Sequence, residues 1–279
     1  MMGKKERIKS TTILFVGLMI YSIYLVFPVY WLMASSVKPT EDLFLVPATL
    51  FPARISFENF KDVILHTKIP RYFLNSIITS ISVTAITIVI STLGAYSLTK
   101  YRFPGRKLIS DLILVAYIFP GILILLPLYQ LIVKLQLNNS LLGLILANLT
   151  FTVPFCLWML RAFFLQLPNS LEESAMIDGC TKFGAFLRVL LPLASPGIVA
   201  SGTYAFILSW NEYMFALVFV TNDANKTLPL GVAGFLGHLT IDWGSLLCSA
   251  VIAVIPIMLA FMFFQKYLIQ GISAGAIKG

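Results

Sequence analysis

Six apolar runs, separated by polar stretches, set the layout of this chain: about Thr12–Ala34, Phe73–Leu98, Ile109–Ile132, Leu141–Leu165, Gly197–Val220 and Ser245–Phe264. A helix needs about 20 apolar residues to cross the hydrocarbon core of a bilayer. The pattern therefore predicts an all-α, polytopic membrane protein with six transmembrane helices. Lys4, Lys5, Arg7 and Lys9 precede the first run, as the basic region of a signal peptide would. A cleavable apolar core is only about 7–15 residues long, so the run is read as the first span. The third run is interrupted by Pro120-Gly121 and Pro127. Such breaks are tolerated where neighbouring helices or water satisfy the freed backbone groups. A pathway-lining helix and a packing kink both fit.

The polar stretches differ in kind. Residues 37–70 are irregular, with Pro39, Pro47, Pro52 and Pro70 breaking any long helix. Lys100 to Lys107 form a basic, turn-prone connector, and residues 221–243 a mostly polar return. The stretch from Pro168 to Pro196 reads as a helical knob. Ser170 followed three residues later by Glu173 predicts a capping box at the start of its first helix. Gly179 can take the left-handed conformation that ends a helix. Phe183, Phe186, Leu187 and Leu190 then share one face of a second helix, with Pro192 and Pro196 marking its end.

Composition narrows the class. Of the 279 residues 58% are hydrophobic and 11% charged, with a mean hydropathy of +0.90. Soluble domains are about 25% charged, and no polar block here is long enough to build one, so the chain reads as one transmembrane domain, 1–279. The net charge of +8 comes from lysines and arginines at the ends of apolar runs, which indicates orientation in a membrane and not nucleic-acid binding. With both termini placed on the cytoplasmic side of a cell (inner or plasma) membrane, 13 basic residues fall inside and 7 outside. That bias supports the orientation and puts the knob in the cytoplasm.

Little in the chain carries chemistry of its own. Cys156 and Cys248 lie in apolar runs and Cys180 in the knob, which argues against a disulfide framework. His66 and His238 are too few and too scattered for a metal site. There is no Walker A pattern, so ATP and magnesium belong to a partner and no bound cofactor is expected. Gly271-Ile272-Ser273-Ala274-Gly275 matches the serine-hydrolase elbow but follows a membrane run, where the strand that motif needs is missing. Trp210-Asn211-Glu212 interrupts the fifth run. Glu212 fits a pathway-lining carboxylate or subunit contact, and equally a membrane boundary that falls earlier. Glu173 likewise fits a helix cap or a charged contact to another protein.

The knob also carries a family resemblance. Glu173-Ser174-Ala175, Ile177-Asp178-Gly179 and Leu191-Pro192 resemble the coupling loop of binding-protein-dependent ABC importer permeases, with Ser174 for the usual first alanine. Phe27-Pro28, Ser36-Val37-Lys38, Asn75-Ser76, Arg102-Phe103-Pro104-Gly105, Trp210-Asn211-Glu212 and Gly275 to Gly279 extend the resemblance to MalG-type carbohydrate permeases over most of the chain. The resemblance implies a type I importer (MetI-like) permease fold with a core over about 72–265 and a cytoplasmic coupling loop over 168–196. It implies a non-catalytic subunit that imports a disaccharide or oligosaccharide. Its partners would be a second, MalF-type permease, an ATPase dimer and an extracytoplasmic solute-binding protein. Glu172, Glu173, Ser174, Ala175, Asp178, Gly179, Leu191 and Pro192 are the implied ATPase-coupling residues. Asn211 and Glu212 are the candidate pathway residues, and Gly275, Lys278 and Gly279 a candidate C-terminal ATPase contact. Glycerol-phosphate-type solutes are the alternative cargo. A secondary transporter would carry more intramembrane charge or repeat symmetry. An intramembrane enzyme would need convergent His, Ser or acid residues, of which only Glu212 is at hand.

Overall fold

The computed structural model describes residues 4–237 and 240–276, with side chains for 12–237 and 240–267. The helices, in chain order, are α1 (Lys4–Ser36), α2 (Glu58–His66), α3 (Ile69–Lys100), α4 (Arg106–Ile118), α5 (Gly121–Lys134), α6 (Leu141–Gln166), α7 (Asn169–Ile177), α8 (Lys182–Leu193), α9 (Ser195–Trp210), α10 (Met214–Phe219), α11 (Leu228–Ala233) and α12 (Trp243–Ala276). Among the described residues the only β pairing is an isolated bridge between Leu236 and Ile241. The all-α expectation holds, because a chain in lipid must satisfy its peptide groups within each helix.

Four helical stretches are long and apolar enough to cross a membrane: Thr12–Ser36, Ile69–Lys100, Leu141–Gln166 and Trp243–Tyr267. The third and fifth expected spans are built differently. Residues expected as one interrupted third helix form α4 and α5, which meet at 101° across Phe119-Pro120. Both residues are extended there, and proline supplies no N–H to carry the helix across. At 13 and 14 residues neither helix reaches the length of a span alone. The expected fifth span stops at Trp210 as α9, which is bent by 73° from α8. Counting each bent pair as one span gives six.

The chain divides into two units. One comprises the residues up to Ile69 together with Val232–Val254. There α1 presents an apolar surface from Ile13 to Val26 that the chain itself leaves exposed. The stretch after Ser36 is less irregular than its prolines suggest, since it holds a 3-10 turn, Thr40–Phe44, and α2. Asn59 of α2 donates to the Lys38 carbonyl at 3.3 Å and accepts from the Thr40 hydroxyl at 3.2 Å. Gly244 fits closely against this corner, because a Cβ on it would lie 2.9 Å from the Thr40 oxygen.

The second unit comprises Pro70–Gly231 and the residues from Ile255 on. Its membrane helices tolerate hydroxyls by bonding them back to the preceding turn, as Ser80 does to Ser76 and Thr84 to Ser80, both at 2.7 Å. Across helices, Thr87 of α3 meets Thr152 of α6 at 2.8 Å. Two apolar cores lie at different places in the unit. Ile132, Leu144, Phe215 and Phe219 centre one, and Tyr96, Leu160, Phe164, Phe186 and Leu190 the other. The second core is the seat of the knob.

Candidate functional site: a helical knob and its seat

The knob begins where Pro168 fixes the backbone one residue ahead of α7. Pro168 therefore occupies the cap position and Ser170 falls inside the first turn. The predicted Ser170–Glu173 capping box does not form, and no side chain caps this end. The other end matches its signal closely. Gly179 has φ +87°, its N–H reaches the Met176 carbonyl at 3.1 Å, and the Cys180 N–H reaches Ala175 at 3.0 Å. That pair of bonds is the Schellman closure. A Cβ at Gly179 would meet nothing within 4 Å, so conformation and not space requires glycine there.

α8 opens with a cap that sequence reading missed. Thr181 accepts from the Gly184 N–H at 3.1 Å, and a threonine just before a helix with a free donor three residues on was the available signal. Phe186 and Leu190 turn into the core, whereas Phe183 and Leu187 are 56% and 45% exposed. Pro192 does not end the helix. A wide π-helical turn over Phe186–Leu190 precedes it, where the Leu191 N–H bonds to Phe186. This loosened turn accommodates the ring and α8 runs on to Leu193.

The knob is bolted to the end of α3 by three side chains. The Tyr96 hydroxyl donates to Glu172 Oε1 at 2.9 Å in a buried contact, and the Tyr96 ring packs 4.4 Å from that of Phe186. Lys100 donates to the Leu167 carbonyl at 2.7 Å and to Asn169 Oδ1 at 2.8 Å. The Lys182 ammonium stands 4.1 Å from the centre of the Tyr101 ring. The two adjacent acids are thus separated by burial. Glu172 is 6% exposed and held, whereas Glu173 is exposed beside a polar cavity of about 340 Å³ that Arg102, Arg106 and Lys182 also line. Among the other coupling candidates, Ala175 is buried and Leu191 half-buried. Ser174, Asp178, Gly179 and Pro192 are exposed. Ile177 at the tip is 86% exposed.

Residues 88–274 match the family of binding-protein-dependent transport system inner membrane components. The chain belongs to that family. It is 36% identical over 280 residues to the trehalose/maltose transport system permease protein MalG of Thermococcus litoralis, covering 99% of each chain. It is 35% identical over 253 residues to the sulfoquinovosyl glycerol transport system permease protein of Agrobacterium fabrum, covering 91% of this chain and 89% of the relative. In fold it resembles a chain of a bacterial ABC transporter involved in the import of the acidic polysaccharide alginate, with a TM-score of 0.84, 20% identity, and 96% and 99% of the two chains covered. The resemblance to carbohydrate ABC importer permeases, and the permease fold it implied, are thereby established, and the protein is an inner membrane component.

Elsewhere in the permease, Asn211 and Glu212 sit in the break between α9 and α10 and not within a helix. Asn211 ends α9 and bonds back to the Ile207 carbonyl at 2.9 Å. Glu212 accepts from Phe215 N–H at 2.6 Å and from Ala216 N–H at 3.1 Å, so both carboxylate oxygens cap α10. Gly275 lies in the last turn of α12, while Lys278 and Gly279 fall outside the described residues. So does His238.

At the α3 N-terminus the permease has a second polar assembly with no counterpart in the motif reading. Asn139, at φ 56°, offers Oδ1 to the Thr221 N–H, the Thr221 hydroxyl and the Asn222 N–H at 2.6, 2.8 and 3.0 Å. Asn75 donates to the carbonyls of Ala224 and Lys226 at 2.9 and 2.8 Å, and Ser76 accepts from the Leu228 N–H at 2.8 Å. In sequence the Asn75-Ser76 pair stands out only through the family resemblance. Its role is to hold the 221–228 return.

Proposed function

We propose that this permease is a non-catalytic half of the translocation pathway of an ATP-driven importer for a disaccharide or oligosaccharide. A MalF-type permease supplies the other half and an extracytoplasmic binding protein delivers the sugar. An ATPase dimer, holding ATP and magnesium, docks on the knob from the cytoplasm, where both termini also lie. The observation that carries the reading is the two-sidedness of the knob. Glu172, Ala175, Phe186 and Leu190 fix it to the membrane helices, and this leaves Glu173, Asp178, Ile177 and Phe183 free to meet a partner. ATP closure of the dimer then biases α8 and α9 between two arrangements, as alternating access requires. Leu191 and Pro192 lie where α8 turns into α9, Asn211 and Glu212 border the pathway, and the C-terminal residues form a second ATPase contact.

The test is purification of tagged chain from native membranes, with ATP-driven sugar uptake measured in parallel. Wild type should retain a second permease and an ATPase. Glu173→Arg should lose the ATPase and keep the permease, and Glu173→Ala should lower uptake about tenfold, as loss of one charged hydrogen bond would. Normal uptake with Glu173→Ala would remove the charged contact. Recovery of this chain without an ATPase would point to a secondary transporter or an intramembrane enzyme.

A further inference from the structure

The first unit holds a cavity of about 220 Å³ lined by Trp31 and Ser35 near the end of α1, Lys38, Asp42 in the 3-10 turn, Thr49, and Trp243 at the head of α12. Its polar groups are unusual for a loop region. Lys38 is 3% exposed. Its ammonium donates to the Thr49 carbonyl at 2.6 Å and stands 4.8 Å from the centre of the Trp31 ring. An ammonium has three donors, so one carbonyl leaves others to be satisfied. Asp42 is engaged through Oδ1 alone among the described contacts, by Arg54 at 3.0 Å, and its side chain is 12% exposed. Lys38 and Asp42 line the same cavity and form no ion pair with each other. A cation and a carboxylate that share a cavity without meeting ask for a neutral guest that both accepts and donates.

We propose that this cavity is a saccharide subsite that takes one pyranose ring. Ring hydroxyls accept from Lys38 and donate to Asp42, while the apolar ring face lies on Trp243, which keeps 40% of its surface open. The volume falls below the roughly 300–1,000 Å³ of ordinary small-molecule pockets, which suits one ring and not a whole oligosaccharide. The choice of a sugar over a zwitterion rests on the importer reading. In the proposed orientation, residues 37–68 lie on the outer side, so the subsite would hold a sugar end where solute is delivered.

Saturation-transfer NMR on the full chain in lipid nanodiscs, with methyl α-D-glucopyranoside as the probe, tests the site. Wild type should pass saturation to the protons of the apolar ring face. Trp243→Leu and Asp42→Asn should each reduce transfer at least fivefold, and Trp243→Tyr should retain it. Asp42→Asn keeps an oxygen for Arg54, so its loss would not come from a broken loop. Buried Cys248 should stay unreactive to maleimide in Trp243→Leu, which separates lost binding from lost packing. No transfer in wild type, equal transfer in all variants, or displacement of the sugar by an equal concentration of glycine betaine would overturn the subsite. ATP-driven uptake by the complete importer separates the two readings. Uptake without transfer removes the subsite and leaves the importer, whereas transfer without uptake does the reverse.

Discussion

The knob and the polar clasp at the α3 N-terminus hold the second unit by opposite means. At the knob, the rings of Tyr96, Phe164 and Phe186 pack around one buried carboxylate bond, and Lys100 ties the rim. At the clasp, amide and hydroxyl side chains bind backbone groups directly, and one oxygen of Asn139 serves three donors. Packing of smooth faces can slide between arrangements, whereas a set of directional bonds has one geometry. The proposed coupling movement therefore belongs at the knob, and the clasp is the fixed end.

Breaking the clasp should have the largest effect. Asn139→Ala removes the acceptor of three bonds and puts alanine, which tolerates a left-handed backbone less well than asparagine, at φ 56°, so it should cost about 3 kcal/mol in thermal unfolding of the solubilised protein. Asn139→Gly keeps the conformation without the acceptor and should recover about 1 kcal/mol of that loss. At the knob, Tyr96→Phe leaves the buried Glu172 carboxylate without its donor, at about 2 kcal/mol. Glu172→Gln keeps an acceptor for Tyr96 and should cost less. The smallest effect is expected for Gly179→Ala, about 1 kcal/mol, because a non-glycine residue must then adopt a positive φ. Its signature is local: maleimide labelling of Cys180 should quicken with no change at the clasp. Equal global losses for Asn139→Ala and Gly179→Ala would erase the contrast.

The knob was legible where its signals are local. Gly179 announced the end of α7 because left-handed geometry follows from the residue itself. Ser170 misled because Pro168, two residues earlier, starts the helix first. Which of Glu172 and Glu173 faces outward depends on Tyr96, 76 residues away, and no spacing within the knob encodes that. The clasp is longer in range still, with Thr221 reaching Asn139 across 82 residues, so Asn138-Asn139-Ser140 reads as an ordinary turn. Span boundaries within α3 and α6 followed from hydropathy. The bends did not: Pro120-Gly121 marks the interruption of the third run, but an apolar window counts residues and is blind to the direction they run.

The junction of α8 and α9 is bent yet stays hydrogen-bonded, with Ala194 N–H to Leu190 at 2.9 Å and Ile198 N–H to Ala194 at 3.0 Å. Such a joint works as a bell crank and not as a hinge. α8 forms an arm of about 18 Å at 1.5 Å per residue, fixed at its angle to α9. A push of about 3 Å at the Lys182 end therefore reaches the membrane as a tilt of α9 by about 10°. Under the proposed docking, the length of that arm would set the gearing between a partner's stroke and the tilt of α9.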